Sequence, residues 1–122
     1  MTPPKTPKGR KAKASLTLGF SKAQLDELVA EATVDAHDEG EQATGFYTMM
    51  ENDLELPFET EVLGVPVTVE AIDFVGDNRL CAVCRRGTKR QRISLKDLPL
   101  PSPLPQGAEW IAAYRHWLVW ED

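Results

Sequence analysis

From Ser21 the apolar positions Leu25, Leu28, Val29, Ala32 and Ala36 recur at helical spacing, with Ser21 placed to cap the first turn. Gly40 interrupts the pattern inside the acidic stretch Asp38-Glu39-Gly40-Glu41. A second helical stripe follows through Ala43, Phe46, Tyr47, Met50 and Leu54, and Asn52-Asp53 and Pro57 close it. The pattern predicts a helical hairpin, or one long helix kinked near Gly40.

At Phe58 the period changes to two. Thr60 and Val62 alternate with Glu59, Glu61 and Leu63, Gly64 marks a tight turn, and Val65 to Ile72 is rich in β-branched residues. Gly76-Asp77-Asn78 and Gly87-Thr88-Lys89 read as further turns around strands at Leu80 to Arg85 and Gln91 to Leu95. Four short strands with tight turns predict a small, strongly bent antiparallel sheet of the SH3-like partial-barrel kind. Leu98 to Gln106 carries proline at alternate positions from Pro99 to Pro105, which predicts an extended tether outside any ladder. Glu109 to Leu118 reads as a short amphipathic helix docking through Trp110, Ile111, Tyr114, Trp117 and Leu118. The expected fold class is therefore α+β: an N-terminal helical segment, the bent sheet and a short C-terminal helix. Residues 1–19 are expected to be a disordered basic tail, and 20–122 one domain.

Composition changes little in this picture. A chain of 122 residues with 42% apolar side chains makes one domain with a modest core. No apolar run approaches the ~18 residues of a membrane span, and the first residues have no apolar segment of the signal-peptide kind. Only two cysteines are present, Cys81 and Cys84, which suits a reducing cytoplasm better than a disulfide framework. The expected location is cytoplasmic.

Charge changes it more. The net charge of −5 conceals a block from Ala23 to Asn78 with no lysine or arginine and 15 of the 19 acids. The remainder carries all 14 basic residues and only 4 acids, so the two parts come to −15 and +10. Such a block must be solvated, paired with the basic segment, or neutralised by bound cations.

Most chemistry is excluded locally. Cys81-Ala-Val-Cys84 has no second pair and no partnering histidine, and on a strand its thiols point to opposite faces, so they read as buried structural residues. There is no P-loop, dinucleotide fingerprint or nucleophile elbow, and the expectation is that this is not an enzyme. The acids remain. Hard cations such as calcium take about six to eight oxygens from carboxylates, carbonyls and water. Asp35, Asp38, Glu39 and Glu41 form one cluster, in which Asp35 and Glu39 are i,i+4 neighbours if the helix runs through. Glu51, Asp53 and Glu55 form a second at the end of the next helix, where the dipole disfavours anions. Asp35 to Gly40 imitates the start of an EF-hand loop, but the twelfth position is Phe46 where a bidentate glutamate is required, so the site is not an EF-hand.

Several runs carry a resemblance: Val34-Asp35-Ala36, then Glu41-Gln42-Ala43-Thr44-Gly45-Phe46-Tyr47, Leu54-Glu55-Leu56-Pro57-Phe58, and Gly107 through Trp117. In that order they resemble the CcbP-like calcium-binding proteins known from cyanobacteria and other bacteria, over about residues 33–118. The resemblance implies a small cytoplasmic protein, acidic Ca2+ ligands from the helical region outside any EF-hand, and a small β-barrel. Asp35, Glu41 and Glu51 match the family's acidic positions; Asp38, Glu39 and Asp53 are added on chemical grounds.

The leading expectation is a calcium buffer or sensor, with the ion as its ligand, no membrane partner and no protein partner named by the sequence. The alternative is a nucleic-acid or protein interaction module built on Arg85, Arg86, Lys89, Arg90 and Arg92. The pI near 5.0 and the lack of aromatics among those cations weigh against nucleic acid. In its plainest form the hairpin simply faces the protein's own acids.

Overall fold

The computed structural model describes residues 18–76 and 78–121, and the expected basic tail falls almost wholly outside them. Helix α1 (Lys22–Ala32) starts with a capping box. The Gln24 backbone N–H donates to Ser21 Oγ at 3.1 Å, and the Ser21 N–H donates to Gln24 Oε1 at 2.9 Å. It ends at Thr33, whose N–H and hydroxyl both donate to the Val29 carbonyl. Helix α2 (Glu39–Asp53) begins behind the N-cap Asp38. The interruption therefore falls at Thr33–His37, not at Gly40, which lies in the first turn of α2. A side-chain cap outweighs a glycine in setting where a helix starts.

The glycine that the hairpin needs is Gly45. A Cβ there would overlap the Ala32 carbonyl oxygen, so α1 and α2 cross with backbone against backbone.

The sheet is a meander of β1 (Phe58–Val62), β2 (Val65–Val75), β3 (Arg79–Arg86) and β4 (Lys89–Ser94), all antiparallel and in that order. It is open, with β1 and β4 as its edges. A register shift between Val69 and Ala71 leaves Glu70 as the extra residue of the long β2 and bends the strand.

One sheet face supplies the core residues Phe58, Val69, Ile72, Leu80, Ala82 and Cys84. Cys81 points to the other face yet is also buried, and burial pushes both thiols up from their ordinary pKa.

Helix α3 (Glu109–Glu121) is not a surface element with one docked stripe. From Trp110 to Leu118 every residue is buried except His116, which is half-buried. Ala112 and Ala113 fill the side that the aromatic stripe leaves open, so α3 forms the centre of the core. Tyr114 accepts the Leu80 N–H at 2.8 Å, and Phe46, Tyr114 and Trp117 stack with centroids 5.4–5.9 Å apart. Buried Arg115 donates to the carbonyls of Leu95 and Leu98 at 2.9 and 2.6 Å, clamping the start of the extended proline segment. That segment then crosses β1, where the Thr60 hydroxyl donates to the Pro99 carbonyl at 2.8 Å. No helix among the described residues is long and apolar enough to cross a membrane.

Candidate metal site

The turn between α1 and α2 is where acidic side chains gather. Asp35 takes left-handed backbone there, with φ of 63°, and reverses the chain between the helices. Asp38 Oδ1 accepts the Glu41 N–H at 2.8 Å, and Glu41 Oε1 accepts the His37 N–H. Asp38 caps α2 and Glu41 sits in its first turn, so both carboxylates lie at the positive end of the helix dipole, a placement that stabilises anions.

Asp35, Asp38 and Glu41 line one open depression of about 580 Å³, together with Ala32, Thr44 and Thr48. None of the described ion pairs reaches any of these three carboxylates. Lys22, the one cation on these helices, is bonded to Asp26 at 2.8 Å.

The other expected ligands lie elsewhere. Glu39 turns to the sheet and accepts the Asn78 amide at 2.7 Å. Glu51 accepts the Tyr47 hydroxyl at 3.1 Å and thereby raises the tyrosine's pKa. Asp53 accepts the Trp110 indole N–H at 2.8 Å, which answers the dipole at the end of α2 without a cation. Glu51 is ten residues beyond Glu41 on one helix, about 15 Å along its axis. Among the described residues no three histidine, cysteine or acidic side chains converge into a ready-made cage.

The donors around the depression fit a hard cation by type. Three carboxylates and two threonine hydroxyls are all oxygen, with no thiol or imidazole required. The helical spacing 41-44-48 puts Glu41, Thr44 and Thr48 on one face of α2, so the sequence itself carries a signal for the two threonines.

The basic hairpin divides in two. Arg85 and Arg90 both bond Glu70, the latter at 2.8 Å, and Arg92 bonds Asp73 at 2.7 Å. Those arginines hold both carboxyls below their ordinary pKa. Arg86 and Lys89 are paired across β3 and β4 on the opposite face.

A family model described as calcium binding, of the CcbP type, matches residues 26–118. No curated protein and no solved structure matches the chain.

Proposed function

The chain belongs to the CcbP family of calcium-binding proteins, and from that premise we propose that it takes up Ca2+ at the α1–α2 turn as a cytoplasmic buffer or sensor, not as an enzyme. One observation carries the placement: Asp35, Asp38 and Glu41 share a depression that no described cation neutralises. Bound calcium would supply the positive charge this region lacks.

Asp38 already holds the first turn of α2 through the Glu41 N–H, and Glu41 reaches back to the His37 N–H of the preceding turn. Turning them toward an ion trades cap bonds for coordination, so binding and helix start are coupled. Thr44 and water would complete an oxygen shell. Phe46, at the twelfth position from Asp35, is buried against Tyr114 and Trp117, and the chain from Glu39 is helix. That supports a site outside the EF-hand pattern. Glu39, Glu51 and Asp53 act away from this ion in the proposal.

The test is calorimetric titration of Ca2+ into chelator-stripped protein with Mg2+ in excess. Saturable heat at one ion per chain is expected, weakened at least tenfold by Asp35→Asn or Glu41→Gln and unchanged by Glu51→Gln. A flat trace, or loss through Glu51→Gln alone, overturns the placement.

A further inference from the structure

The face of the sheet that carries the core continues past the helices. At that end Val62, Val65, Val67 and Ile93 line a depression of about 540 Å³ whose rim holds Arg86 and Lys89, with Gln91 and the Glu70-bonded Arg90 beside them. The register places them together: Val62 opposes Val65, and Arg86 opposes Lys89 on the same face. Among the described residues neither cation meets a carboxylate, whereas Arg85, Arg90 and Arg92 of the same hairpin all do.

Leu63 at the adjoining turn makes the stronger case. It occupies left-handed backbone, φ 52°, followed by Gly64 at 78°, in a two-residue turn that asparagine-glycine would suit better. Leucine there carries a backbone penalty of about 1 kcal/mol and is 96% exposed, so burial returns nothing. Val65 beside it is 39% exposed. The fold itself gains nothing from an apolar tip at this place.

We infer that this end of the sheet docks an acidic, apolar segment of a partner protein, its hydrophobic side chains entering the valine-lined depression and its carboxylates meeting Arg86 and Lys89. Two unneutralised cations around an apolar floor select for that chemistry. A flat bilayer would leave the concave floor unfilled, and a nucleic acid would make no use of Leu63.

The experiment is fluorescence anisotropy of a fluorescein-labelled 12-residue peptide of alternating glutamate and leucine, with the full chain at low salt. Saturable binding is expected, weakened at least tenfold by Arg86→Glu with Lys89→Glu and by Leu63→Asn, and changed less than twofold by Arg92→Gln, which lies on the other face of the sheet. Leu63→Asn suits the turn, so its melting temperature should hold or rise while binding falls, which separates docking from folding. No saturable binding to 1 mM peptide, an unaffected Leu63→Asn, or equal binding of a 12-residue polyglutamate overturns the inference. So does binding of phosphatidylserine vesicles or single-stranded DNA in place of the peptide.

Discussion

The Trp117 indole N–H donates to Gln42 Oε1 at 2.7 Å, joining the buried face of α3 to the residue next to Glu41. Trp117 stacks on Phe46 and Tyr114, so its ring reports on the whole helical core. In the proposed site, movement of Glu41 toward the ion would shift the first turn of α2 and with it Gln42. Calcium should therefore change the tryptophan emission of the wild-type chain, and Gln42→Ala should abolish most of that change while calorimetric binding persists. Retention of the full signal in Gln42→Ala would show that the Trp117–Gln42 bond does not carry it.

Asp38 caps α2, and the proposed site would make it a ligand as well, two roles that substitution can separate. Asparagine caps a helix as well as aspartate, whereas alanine does not. In calcium-free urea unfolding, Asp38→Asn should stay near wild type and Asp38→Ala should lose about 1 kcal/mol. Calcium affinity should fall in both, by about tenfold. An Asp38→Asn variant with full affinity would leave capping as the residue's entire role.

Close helix crossing makes Gly45 the most sensitive small residue of the hairpin. Gly45→Ala forces its methyl into the Ala32 carbonyl and should cost about 2–3 kcal/mol in urea unfolding. Gly40→Ala, in the first turn of α2, should stay within about 0.5 kcal/mol of wild type. Equal effects at both positions would contradict the crossing geometry.

These two glycines show what a single sequence could reveal. Local signals were readable: the Ser21 cap, the Leu63-Gly64 turn, and the switch from helical to alternating period at Phe58 all appear in the fold. Long-range pairings left no such trace. Asp53 meets Trp110, and Gln42 meets Trp117, across 57 and 75 residues. The central place of α3 was hidden because Ala112 and Ala113 mark no face until the elements around them are known. At the candidate site, Asp35 and Glu41 were legible as acids in a charge block. Their place around one depression was not, since it depends on a chain reversal at Asp35 that helical spacing did not predict.

Acid stability should report the ion pairs on the outer face of the sheet. Arg90 and Arg85 hold Glu70 below its ordinary 4.5, and Arg92, with the Phe74 N–H, holds Asp73 below 3.8. A folded-state pKa below the unfolded one means the stabilisation is complete above the unfolded value and disappears as pH falls through the folded value. Melting temperature should therefore drop below about pH 4.5, and Glu70→Gln should flatten that drop. All three pairs are at least partly open to solvent, so 1 M salt should flatten it too. An unchanged acid slope in Glu70→Gln would assign the loss to other carboxylates.

Arg115 is the costliest polar residue of the core to replace. Burial pushes its guanidinium pKa down from the ordinary value, yet its two bonds to the Leu95 and Leu98 carbonyls fix where the chain leaves β4. Arg115→Met keeps the volume of the stem and leaves both carbonyls without that donor. An unsatisfied buried acceptor costs about 1–3 kcal/mol, so the loss in urea unfolding should reach about 2–6 kcal/mol for the two. Because Leu98 leads into the segment that crosses Thr60, hydrogen exchange in 95–101 should quicken before that of α1 does. Uniform exchange across both regions would show that the clamp acts on the core as a whole.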